Sequence, residues 1–92
     1  MDVPGIVIHA RHLDNDERSE RRVAVAVRPH SDAGQRTQLR EAVERVHPEA
    51  RIRSYAEGVA SFVTSTHLVV ARYDSVPVQA DDDHLQHSLF AG

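Results

Sequence analysis

The chain has no cysteine, no lysine and no tryptophan, and only two Phe, two Tyr and one Met among its 92 residues. Without cysteine there is no disulfide, no thiolate metal site and no thiol nucleophile, which removes zinc-ribbon and redox readings and fits a reducing, cytoplasmic setting. Without lysine, Schiff-base chemistry and a lysine phosphate anchor are excluded, since all eleven basic residues are arginine. Scarce aromatics mean that the core is built from Val, Ile, Leu and Ala, with little area for a deep cavity, so no cofactor is expected. Long apolar runs are also missing. Nothing approaches the ~20 residues needed to cross a bilayer, and the N-terminus carries no apolar leader. The expectation is a soluble cytoplasmic protein with no membrane partner.

What is present is one domain's worth of chain. At this length, folding buries roughly 60–65% of the surface that the unfolded chain exposes. Charge is uneven: residues 1–53 hold ten Arg against nine acids (+1), and residues 54–92 hold one Arg against five acids (−4). A nucleic-acid footprint needs a basic excess on one element. Here Arg18, Arg21 and Arg22 are offset by Asp14, Asp16, Glu17 and Glu20, so a nucleic-acid partner is not expected.

Residues 6–12 predict a strand with Ile6, Ile8 and Ala10 on one face and Val7, His9 and Arg11 on the other, half buried and close to a sheet edge. After a charged loop over residues 13–20, residues 23–27 (Val-Ala-Val-Ala-Val) are apolar on both faces, as in a strand covered by helices on both sides; antiparallel pairing with the first strand is plausible. Pro29 ends that strand, and Ser31 or Asp32 caps a helix over residues 33–47, with Gln35 adding a capping-box signal. Leu39, Ala42, Val43 and Val46 form the apolar stripe of this helix, and Pro48 stops it. Residues 51–53 are extended. Ser54-Tyr55-Ala56-Glu57 then matches a capping box, and Tyr55, Val59, Phe62 and Val63 follow at helical spacing. The competing reading of this stretch is a hairpin over residues 51–73 turning near Glu57-Gly58. Residues 67–71 predict a strand on either reading.

The expected fold is therefore α/β, a small sheet of about four strands with two helices in the order β-β-α-β-α-β; the alternative is an α+β ferredoxin-like arrangement with a C-terminal hairpin. Residues 1–74 form the domain, and residues 75–92 an acidic tail. The order strand, helix, short strand, helix, strand over residues 23–74 resembles the first half of a flavodoxin-like fold such as a response-regulator receiver domain, with Arg-Ile-Arg-Ser-Tyr-Ala-Glu-Gly (51–58) followed by His-Leu-Val-Val (67–70) resembling that family's second helix and third strand. That resemblance covers just over half the chain and implies a magnesium-binding acidic pair where Arg28 and Pro29 stand. It also implies a phosphoacceptor aspartate near Arg72, with Asp74 two residues on. Phosphoryl transfer is not expected from these residues.

If the sheet is parallel, its ligand edge gathers Arg28, His30, Ser31 and Asp32 after one strand and Arg72 and Asp74 after another, a candidate anion site at a helix N-terminus. The plainer reading is that Ser31 and Asp32 cap the helix while Arg28 pairs with Asp74. Of seven histidines, His9 and His12 fall on opposite strand faces and cannot share one ion. His84 and His87 would share a helix face behind Asp81, Asp82 and Asp83, a metal-ligand set in type. His47 at the helix C-terminus complements the dipole. Leu85, Leu89 and Phe90 form an adhesive stripe in the tail. With no catalytic constellation, the expected function is that of a small non-enzymatic regulatory or adaptor protein working through protein–protein contact, as a homodimer. The alternatives are a small enzyme or anion-binding domain using residues 28–32, and a metal-binding protein using the tail histidines.

Overall fold

In the computed structural model, which describes residues 2–77, strand alternation and one amphipathic helix account for the whole architecture. The elements run β1 (Asp2–His12), β2 (Arg18–Ala24), α1 (Asp32–Val46), β3 (Arg51–Ala56), β4 (Val59–Val63) and β5 (His67–Pro77). All five strands join one antiparallel sheet in the order β2-β1-β5-β4-β3. This overturns the two-helix α/β expectation and the ferredoxin-like alternative alike: the sheet is antiparallel throughout and a single helix is present among the described residues.

Three tight connections enforce the antiparallel pattern. At the β1–β2 turn, Asp16 takes φ 60° and its N–H donates to the His12 carbonyl at 3.0 Å. At the β3–β4 turn, Glu57 (φ 49°) and Gly58 (φ 81°) both lie in the left-handed region, the requirement of a two-residue type I′ hairpin. At the β4–β5 turn, Thr64 Oγ1 accepts from the N–H groups of Thr66 and His67. Residues 54–63 are thus a hairpin and not the second helix. That hairpin ends at Val63, and β5 pairs along the other side of β4.

The helix forms as its sequence predicts. Ser31 is the N-cap, its Oγ accepting from Gly34 N–H at 3.0 Å, and the His47 N–H closes the last turn on the Val43 carbonyl. Leu39 and Val43 are fully buried against Ile6, Ile8, Ala10, Ala60, Phe62, Val69 and Ala71, with Val46 and Ala42 at the margin. Two tyrosines fix the N-terminal half of α1 to the sheet. Tyr55 Oη donates to Gln35 Oε1 at 2.9 Å, and Tyr73 Oη to Gln38 Oε1 at 2.6 Å.

The apolar run at residues 23–27 is not a central strand. β2 is an edge strand that leaves the sheet after Ala24, and Val27 is 67% exposed. Only Val25 among the last three residues of the run joins the margin of the core. β1, expected near an edge, is an interior strand flanked by β2 and β5. β5 continues past the expected domain boundary at residue 74 as far as Pro77, where it pairs with Asp2. Gly5 shows why the sheet can close here: a Cβ on it would meet Val76 Cγ2 at 2.5 Å and the Val23 carbonyl at 2.9 Å. Among the described residues, no helix is long and apolar enough to cross a membrane.

Candidate functional site

A single helix covers only one face of a sheet. Successive side chains alternate across a strand, so the register defines the composition of the other face in rows. One row runs Arg22, Val7, Arg72, Val59 from β2 to β4; the next Glu20, His9, Val70, Ser61, Ser54; the next Arg18, Arg11, Leu68, Val63, Arg51. The hydrogen bond between the Ser54 and Ser61 hydroxyls at 2.7 Å confirms that the β3 and β4 members share this face.

The chemistry of this face changes from one side to the other. Toward β2 it is ionic. Arg22 Nε donates to Glu20 at 2.6 Å, His9 Nδ1 lies 3.5 Å from the same carboxylate, and Arg11 and Arg18 both reach Asp16, at 3.0 and 3.7 Å. Along β5, Arg72 donates to Asp74 at 2.9 Å. Hydrogen bonds from these arginines hold the Glu20 and Asp74 carboxyls below the usual range. Toward β4 the face turns aliphatic, with Leu68, Val70, Val59 and Val63; Val70 is 38% and Val59 43% exposed. At the boundary lies a solvent-open depression of about 420 Å³ lined by His9, Arg11, Arg18, Leu68 and Val70 together with the Ala10 and Ser19 backbone region. Val7 is fully buried on this side, packed with Val76, Val3 and Ala24.

The residues proposed for an anion site do not come together. Arg28 lies on the helix side, its guanidinium 4.4 Å over the Tyr73 ring; Ser31 caps α1, and Asp32 accepts from Tyr55 Oη at 3.3 Å. His30 is exposed in the loop before the helix. Arg72 and Asp74 project from the opposite face, because residues 72 and 74 share one side of β5 and residue 73 the other. A second open cavity of about 390 Å³ brings Arg28 and Tyr73 beside Asp74 and Asp2 but does not include Arg72. Arg28 therefore stacks on Tyr73, and Asp74 takes Arg72 as its partner. Burial pushes the Tyr73 phenol upward. The tail residues His84, His87, Leu85, Leu89 and Phe90 lie outside the described residues.

One grouping escaped the sequence pattern. His12 and His67 are register partners on β1 and β5 with ring centroids 4.8 Å apart, and the ring of His47, the residue capping α1, lies 5.5 Å from His67. Three element ends supply them, so no spacing rule in the sequence joins them. His12 Nδ1 accepts from the Asp14 N–H, and His67 Nδ1 bonds the Thr66 hydroxyl at 2.7 Å. Burial, and then His67 and Arg21, lower the His47 pKa. Among the described residues, no group of three or more His, Asp or Glu is arranged to hold a metal ion. Compared with family models, with curated proteins and with solved structures, the chain matches none.

Proposed function

We propose that the protein is a non-enzymatic interaction module, regulatory or adaptor in role, and that it binds protein partners through the open face of its sheet. The observation that carries this reading is the aliphatic strip on the face of the sheet opposite α1, which no helix among the described residues covers. A solvated antiparallel sheet alternates apolar-in and polar-out, yet Val59, Val63, Leu68 and Val70 put aliphatic side chains on the outer side of two adjacent strands. An exposed apolar patch rimmed by arginine has the makeup of a protein-binding surface. The partner chemistry that fits is a segment with aliphatic or aromatic side chains and carboxylates, since Arg11, Arg18, Arg22, Arg51 and Arg72 outnumber Glu20, Asp74 and, from the β1–β2 turn, Asp16.

The sheet edges are poorer docking sites. β2 presents Arg18, Glu20, Arg21 and Arg22, and β3 carries a register irregularity between Ile52 and Ser54 with Arg51 and Arg53 beside it; charges and bulges on edge strands discourage strand addition. A homodimer formed face to face would set these arginines against their own copies, which favours a different protein as the partner. Site-specific photocrosslinking tests the reading, with the crosslinker at position 70 on the open face or at position 37 on the exposed surface of α1. A discrete crosslinked protein from position 70 and none from position 37 is expected. The same diffuse background from both positions would refute the assignment.

A further inference from the structure

The open face has an occupant of matching chemistry within the same chain, and this inference rests on the reading of that face as a binding surface. We propose that residues 81–90 fold back over the open face of their own sheet and compete with a partner for it. In sequence this segment joins three consecutive carboxylates, Asp81, Asp82 and Asp83, to Leu85, Leu89 and Phe90. The face offers the complements in the same order from the end of β5: Arg72, beside Arg22 across Val7, and then Val70 and Leu68.

The lengths agree. Described chain stops at Pro77, next to Val76 on the open face. Arg72 lies five residues back along β5, roughly 17 Å at strand rise, while Asp81 to Asp83 are four to six residues beyond Pro77, a reach of roughly 13–21 Å. Val70 and Leu68 lie roughly 24 and 31 Å back; the extended chain reaches roughly 26 Å at Leu85 and 46 Å at Phe90, enough for both. The carboxylates now holding Arg72 and Arg22 do not bar entry. These pairs are exposed on both members, and exposed pairs of this kind exchange partners at little cost.

A chain without cysteine allows a clean test in the full-length protein. Val70→Cys places one thiol on the face, and Thr37→Cys places one on the outside of α1. With the natural tail, the thiol at position 70 is expected to react with a small maleimide about tenfold more slowly than when the tail carries D81N, D82N, D83N, L85S, L89S and F90S, a modest effect for a weak contact made at tethered effective concentration. The rate at position 37 should be the same with either tail. Protection should be independent of protein concentration and should weaken at about 0.5 M salt. A synthetic peptide of residues 78–92 added to the substituted-tail protein should restore it, which guards against a variant that merely misfolds.

Equal rates at position 70 with both tails, fast or slow, overturn the inference. So does protection that grows with protein concentration, which would assign the face to a second copy, or a peptide that restores nothing. Equal rates accompanied by a crosslink from position 70 remove only the tail as occupant. Equal rates with no crosslink remove the binding face as well.

Discussion

Leu39 lies with no exposed surface between α1 and the sheet, packed in one cluster with Phe62, Val69 and Ile8. Truncation to Ala leaves a cavity that neighbouring strands, fixed by their ladders, cannot close. Leu39→Ala should therefore cost roughly 2–4 kcal/mol in denaturant melts, and an unchanged midpoint would mean that the buried face is misassigned. His47 presents the opposite problem, a group whose charge is unwelcome. The helix C-terminus favours a cation at this position, but burial, and then the nearby His67 and Arg21, move its pKa below the usual 6.5. In the window between the folded value and about 6.5, the unfolded chain binds more protons than the folded one, so stability falls as pH drops through that window. Melting temperature should decline as pH falls through about 6.5, and His47→Asn should flatten the decline. A profile unchanged by that substitution would place the pH sensitivity elsewhere.

The β3–β4 hairpin stores a local conflict, because Glu57 holds φ 49° without the freedom that Gly58 has at φ 81°. Asn tolerates this region better and Asn-Gly is the preferred type I′ pair, so Glu57→Asn should stabilise by about 0.5–1 kcal/mol; Gly58→Ala should destabilise. Thermal melts that reverse this order would contradict the turn assignment. The same hairpin shows where the sequence stops being informative. Helix α1 was legible because its caps, its stripe and the Pro48 stop are all local; the antiparallel return of the chain onto β1 was legible too, but not its place, since β2 begins at Arg18 inside the charged stretch read as loop and ends at Ala24. Residues 54–63 carried two local signals that disagree. The Ser54-to-Glu57 capping pattern and the spacing of Tyr55, Val59 and Phe62 fit a helix, while Gly58 and the β-branched Val59 and Val63 fit a hairpin. Pairing of Val59–Val63 with β5, which lies outside this stretch, decides between them. The candidate site was lost for a related reason: grouping Arg28 with Arg72 assumed the carboxyl edge of a parallel sheet. Which side of Val59, Val63, Leu68 and Val70 is uncovered depends on where the one helix lies, and no window of sequence contains that.

At the scale of the molecule, the fold is closed by its two longest strands, β1 and β5, which pair along all eleven residues from Asp2↔Pro77 to His12↔His67. Joining the two ends of the described chain at the centre of the sheet makes its decisive contacts non-local, the regime of slow folding. It also makes the last residues of β5 structural. Val76 is fully buried against Val7 on the side away from α1, and Ser75, Val76 and Pro77 register with Pro4, Val3 and Asp2. A chain ending at Asp74 loses these partners and uncovers Val7. Exposing one buried valine costs about 1.5–3 kcal/mol, which in a domain of this size lowers the melting temperature by roughly 10 °C. A chain ending at Pro77 keeps every one of these pairs. It should melt within a few degrees of the full-length protein, because every strand pair described for the sheet lies within residues 2–77. Calorimetry on the two truncations separates these claims. Equal melting of the chains ending at 74 and 77 would deny β5 its closing role, whereas a chain ending at 77 that fails to fold would show that later residues belong to the core.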